Sequence, residues 1–115
     1  MQHIHHQIEY KIYDSLEELP QVNKMLMMKA KEASQLAYAP YSKFYVGAAL
    51  LLENGDIALS SNKENASFPA GICAERNGLN YVSDHFPDQK VVKMAITANP
   101  LEFELNEPVS PCGVC

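Results

Sequence analysis

Two short pieces of the chain carry side chains able to do chemistry: Cys73-Ala74-Glu75 and Pro111-Cys112-Gly113-Val114-Cys115. A Cys-x-x-Cys pair alone has several readings: a redox pair, half of a structural zinc site, or coincidence. A redox pair usually follows a strand in a thioredoxin-like unit, and here an apolar stretch does come before it, loosely. The third thiol discriminates, because a redox pair needs only Cys112 and Cys115. Both pieces read as helix starts. Cys73 opens one helical stretch, and Ser110-Pro111 places a capping residue before a proline suited to the first helical position. Helix N-termini favour thiolate over thiol, through their free N–H groups and the dipole. Three converging thiolates suit Zn²⁺ and leave its fourth position open, as catalytic zinc sites do. A structural site would call for a fourth ligand. His85 is the one downstream histidine, and His3, His5 and His6 lie near the N-terminus; each reads better as a surface residue. Glu75 is expected to point away from Cys73 around the helix. It could exchange protons with a metal-bound water without ligating the metal, or it could be a solvated helix glutamate.

The elements that must position these groups are readable from periodicity. Residues 7–13 alternate, with Ile8, Tyr10 and Ile12 on one side, as a short strand would. Ser15-Leu16-Glu17-Glu18 has capping-box form but meets Pro20 at once. Residues 1–20 are therefore read as an N-terminal appendage to a domain over residues 21–115. A helix is predicted over residues 22–37, with Val22, Met25, Leu26, Ala33, Leu36 and Ala37 on its apolar stripe and Pro40 ending it. Met25, Met27 and Met28 read as packing residues. A hairpin follows: residues 44–52, a two-residue Asn54-Gly55 turn, and residues 57–61. Gly47-Ala48-Ala49 leaves room for a helix or ligand to approach. After a polar loop over residues 62–71, a helix is predicted over residues 72–82 with Ile72, Leu79 and Val82 inward. Residues 91–98 are nearly all apolar and read as a central strand. Residues 99–109 read as an acidic loop, and residues 110–112 as a helix start. This order predicts an α/β layered domain, a mixed sheet with helices packed on it.

Composition limits the partners. The 115 residues carry 47% hydrophobic and 20% charged side chains, the balance of a globular domain. The longest apolar run, residues 46–52, falls far short of the roughly 20 residues a membrane helix needs. The N-terminus has neither the basic nor the apolar region of a secretory signal, so a cytosolic protein is expected. Net charge is −5 and the one arginine is Arg76. No basic face for a polynucleotide is visible, whereas an uncharged nucleoside remains compatible. Three cysteines cannot pair completely, which points from disulfides toward metal or catalysis.

The pattern as a whole resembles the zinc-dependent cytidine deaminases, whose signature places a Cys or His, then Glu, before Pro-Cys-x-x-Cys. The likeness extends from about Lys29 to Cys115. Tyr38-Ala39-Pro40-Tyr41-Ser42-Lys43-Phe44 with Val46-Gly47-Ala48-Ala49-Leu50 is similar to the family's first block. Asn62-Lys63-Glu64-Asn65-Ala66-Ser67-Phe68-Pro69 is similar to its ribose-binding loop, and Gly71-Ile72-Cys73-Ala74-Glu75-Arg76 to its zinc helix. The resemblance implies that Cys73, Cys112 and Cys115 ligate Zn²⁺. It implies that Glu75 carries protons to the ring nitrogen and the departing amine, and that Asn62 and Glu64 hydrogen-bond the ribose hydroxyls. It also implies that Phe44 packs on the pyrimidine. Read alone, Phe44 is more often a core residue and Asn62 a turn residue. Three thiolates leave a dication net negative, and the resemblance implies that the Arg76 guanidinium offsets this at the sulfurs. The implied reaction is hydrolysis of cytidine and deoxycytidine to uridine and deoxyuridine with release of ammonia, a step of pyrimidine salvage. Cys73 in place of histidine favours the small, usually homotetrameric branch.

Family members continue past the second zinc cysteine with further helix and strands, so a chain ending at Cys115 is expected to be truncated or incompletely recorded. Tyr45 stands where proline is frequent, and Phe68 where tyrosine is common. Three rival expectations remain: a blasticidin-type deaminase, a zinc- or nucleoside-binding remnant without catalysis, and a redox protein.

Overall fold

The computed structural model describes residues 1–101, 104 and 107–115. Its elements are helix α1 (Gln21–Ser34), strands β1 (Phe44–Leu52) and β2 (Ile57–Ser61), helix α2 (Ala74–His85) and strand β3 (Val91–Pro100). The sheet order is β2-β1-β3, and both neighbours run antiparallel to β1. The expected α/β layering is present. The described strands pair only antiparallel, and parallel pairing occurs in the isolated Tyr38–Lys63 bridge.

Strand β1 shows why there are two helical layers. Side chains alternate across a strand. Val46, Ala48, Leu50 and Leu52 face one core with Ala74 and Val82 of α2. Ala49 faces the other, with Leu26 and Ala30 of α1 and Ala95 of β3. Gly47 sets how closely α1 can lie: a Cβ there would fall 2.0 Å from the Ala30 carbonyl oxygen and 2.4 Å from the Ser34 nitrogen. The small-residue stretch therefore admits a helix. Gly78 does the same for α2, where a Cβ would meet Ser60 Oγ at 2.6 Å and Leu50 Cδ1 at 2.7 Å.

Several expectations need correction. Residues 7–13 form no strand, and Ile8, Tyr10 and Ile12 are exposed. Alternation makes a strand only where an edge accepts it. The capping box does not form: Ser15 makes no side-chain cap bond, and Glu18 accepts from the N–H of Asp14, one residue before the cap, at 2.9 Å. Helix α1 ends three residues early, because Leu36 and Ala37 turn back onto Ala33 and Ser34 and the Lys63 ammonium takes the Leu36 carbonyl. Leu36 is therefore exposed; Val22 and Met25 are exposed too, and the buried apolar stripe is Leu26, Ala30 and Ala33. The hairpin loop is Glu53-Asn54-Gly55, longer than the expected two-residue turn. A type I′ turn needs positive φ at both Asn54 and Gly55, and Gly55 alone has it, at 94°. Ile72 precedes α2 rather than joining it. Strand β3 pairs with β1 alone within the described sheet, and α1 packs on the face that carries Ala95. No helix starts at residues 110–112. Residues 112–115 form a turn, with the Cys115 N–H bonded to the Cys112 carbonyl at 3.1 Å. The acidic loop expected over residues 99–109 lies partly outside the described residues. Among the described residues no helix is long and apolar enough to cross a membrane.

Candidate metal centre and substrate site

Cys73 is the N-cap of α2, and its sulfur accepts the Arg76 N–H at 3.4 Å. The cysteine thus stands where the helix's free N–H groups favour an anion. Two side chains that sequence reasoning missed fix this helix end. Ser60 Oγ donates to the Ala74 carbonyl at 2.6 Å, and Asn77 Nδ2 donates to the Ser61 carbonyl at 3.0 Å. A serine near the end of β2 and an asparagine one turn into α2 were the signals for them.

Glu75 is 8% exposed, and among the described residues its carboxylate makes no hydrogen bond. It is not a solvated helix glutamate. Loss of hydration, a hydrogen bond with Cys73 and the negative fields of Cys73, Cys112 and Glu75 push the Cys115 thiol up to about 11. Cys112 goes the other way. The N–H groups of Val114 and then Cys115 hold its thiol below the ordinary value of 9.0. The turn at residues 112–115 supplies the donors that a helix was expected to supply.

Cys115 is thus within electrostatic reach of Cys73, Cys112 and Glu75, the first and last of which stand at the start of α2. The donor set fits zinc: soft sulfurs, two already in contact with backbone donors, beside a carboxylate whose charge a dication offsets. The thiols do not close into a three-ligand cage among the described residues. Both Cys112 and Cys115 are exposed. Arg76 meets Cys73 through its backbone N–H, and among the described residues its guanidinium makes no hydrogen bond or ion pair.

The other expected site residues surround the start of β1. Phe44 is half-buried against the α2-side core, consistent with its reading as a core residue. Asn62 uses one donor and one acceptor of its amide on β1: Nδ2 gives to the Phe44 carbonyl at 2.8 Å and Oδ1 accepts from Val46 N–H at 2.9 Å. One donor and one acceptor position remain. Glu64 Oε1 accepts the N–H groups of Tyr41 and Ser42, each at 3.1 Å. The Ser42 hydroxyl and these N–H groups, with the Lys43 charge, hold the Glu64 carboxyl below its ordinary value despite some loss of hydration. Lys63, between them, exchanges both backbone bonds with Ile72 at 3.0 Å, next to Cys73. A cavity of about 1240 Å³ lies elsewhere, between residues 10–16, α1 and β3; it is lined by Leu26, Met27, Met94 and Ile96 and by none of the thiols or Glu75.

Residues 20–115 match the family model described as the cytidine and deoxycytidylate deaminase zinc-binding region. The chain belongs to that zinc-binding family. It is 40% identical over 92 residues to a cytidine deaminase of Halalkalibacterium halodurans, covering 80% of this chain and 65% of the relative. It is 43% identical over 91 residues to a cytidine deaminase of Sporosarcina psychrophila, covering 78% of this chain and 62% of the relative. The chain thus spans somewhat under two thirds of these relatives' lengths. Among solved structures, a cytidine deaminase from Burkholderia pseudomallei superposes with a TM-score of 0.68 at 36% identity, over 79% of this chain and 68% of that one. One from Mycobacterium tuberculosis gives 0.67 at 31% identity, over 79% and 69%. These matches speak against the redox reading and do not favour the blasticidin-type alternative.

Proposed function

We propose that the protein hydrolyses cytidine and deoxycytidine to uridine and deoxyuridine, releasing ammonia. The observation that carries this is Glu75, a buried carboxylate without a hydrogen-bond partner among the described residues, in the first turn of α2 two residues after Cys73 and within electrostatic reach of Cys115. Cys73, Cys112 and Cys115 hold the zinc, the exposed turn at residues 112–115 bringing Cys112 round to it. Zinc, when bound, lowers the pKa of water and supplies a nucleophile at neutral pH.

The chain's own groups do the rest. Glu75 takes a proton from the attacking water and delivers it to N3 of the cytosine ring as oxygen adds to C4. It then carries the proton of the new C4 hydroxyl to the 4-amino group; the C4–N bond breaks as the C4 carbonyl forms, so that one water is consumed and one ammonia released. Asn62 and Glu64 use their remaining hydrogen-bonding capacity on the sugar hydroxyls, and Phe44 offers an apolar face to the base. Arg76 swings its guanidinium toward the sulfurs and moderates their charge. The finer assignment is a cytoplasmic, homotetrameric enzyme of pyrimidine salvage; the three-cysteine pattern supports it.

The test is ammonia release from cytidine by the purified protein supplied with zinc. Conversion to uridine supports the reading. Zinc binding with no conversion would leave a nucleoside- or zinc-binding protein.

A further inference from the structure

Lys43 is the one non-glycine residue with positive φ among the described residues, at 56°. Residues with a Cβ rarely take this left-handed conformation, because Cβ crowds the following carbonyl. The backbone at Lys43 is tied on both sides: its N–H donates to the Ala39 carbonyl at 3.0 Å, and its carbonyl accepts the Leu101 N–H at 3.1 Å. The two preceding residues, Tyr41 and Ser42, aim consecutive N–H groups at one oxygen of Glu64. Phe44 follows immediately as the first residue of β1, with its carbonyl held by Asn62 from the far side.

We propose that Glu64 is a positioning residue: its carboxylate latches the turn at residues 41–43 with Lys43 left-handed, and so fixes how Phe44 enters β1 beside the site. The latch belongs to the free protein; its catalytic consequence rests on the deaminase reading. A carboxylate suits the task because it accepts several donors at once, and charge-assisted bonds are the stronger ones. The lowered pKa of Glu64 agrees with an anion held by these donors. Asn62 already restrains Phe44 from the β2 side, so the turn before it is what the latch controls. Glu64 then serves the sugar and the base together, one directly and the other through four residues of backbone.

Amide exchange of the zinc-loaded, substrate-free protein tests this at Lys43 and Leu101, whose N–H groups report the turn without touching Glu64. Glu64→Ala is expected to speed exchange at both by roughly tenfold or more and to leave Leu50 unchanged. Glu64→Gln, which keeps an acceptor, should fall between. Adding Lys43→Gly to Glu64→Ala should restore slow exchange at Leu101, since glycine takes this φ freely. Unchanged exchange at Lys43 and Leu101 in Glu64→Ala would overturn the latch. The same variants give KM for cytidine: recovery of part of the lost KM by Lys43→Gly supports positioning, and no recovery would reduce Glu64 to a direct ligand. If the parent protein does not turn over cytidine, the deaminase reading fails while the exchange result still decides the latch.

Discussion

Lys63 and Ile72 exchange both backbone hydrogen bonds, N–H to carbonyl in each direction at 3.0 Å. The residues flanking Lys63 are Asn62 and Glu64, and the residue after Ile72 is Cys73. One short antiparallel bridge therefore joins the groups proposed for the sugar to the first thiol of the metal set. The spacing between the two halves of the site is held by backbone, which side-chain motion cannot loosen.

Asn62→Ala should test how much of this depends on the clamp to β1. It removes both bonds from the amide and leaves the Phe44 carbonyl and Val46 N–H without those partners. A loss of about 1–3 kcal/mol in urea unfolding is expected. Asn62→Asp keeps the acceptor for Val46 and should lose less. Equal stability of Asn62→Ala and the parent would show that the clamp contributes nothing.

Gly47→Ala should be more severe. The added Cβ meets backbone atoms of α1, which cannot rotate away. Overpacking of this kind costs about 1–3 kcal/mol, and backbone on the far side puts this site at the upper end, visible as a clear fall in thermal midpoint. Tolerance without loss would mean that α1 does not lie against β1 at this distance.

Acid sensitivity follows from Glu64. Its folded-state pKa lies below the ordinary 4.5, so its stabilisation is present above 4.5 and disappears as pH falls through the lower folded value. Glu64 is largely solvent-screened, so the effect is small. Stability curves against pH should show Glu64→Gln with a shallower decline below about pH 4.5 than the parent. Parallel curves would contradict the shift.

Zinc occupancy distinguishes the thiols from the helix around them. Cys73→Ser and Cys115→Ser should each lower zinc affinity at least about tenfold, measured by competition with a chromogenic chelator. Unchanged affinity in Cys73→Ser would leave Cys112 and Cys115 as a two-thiol site.

Much of this arrangement is legible in the residues, where local chemistry decides it. Strands β1 and β2 are readable because apolar runs flank Asn54-Gly55, and Gly47-Ala48-Ala49 announces the close approach that α1 makes. Cys73 is readable as a helix start, since capping is a local property. What fails depends on distant partners. Leu36 reads as core from its spacing, but the Lys63 ammonium takes its carbonyl where the helix ends. Strand β3 reads as central from its apolar run, and within the described sheet it pairs with β1 alone. The clamp of Asn62 imitates a backbone pairing that exists only once β1 and β2 are in register, so no spacing rule reveals it. The turn at residues 112–115 replaces an expected helix, yet it supplies Cys112 with donors of the same kind.

The most direct test of the role given to Glu75 compares the parent protein with Glu75→Gln at matched zinc content, following cytidine loss and ammonia release. Glu75→Gln preserves shape and removes the group that moves the proton. It should keep its zinc and lose about 10²–10⁴-fold in turnover. Normal turnover by zinc-loaded Glu75→Gln would contradict the role assigned to the buried carboxylate.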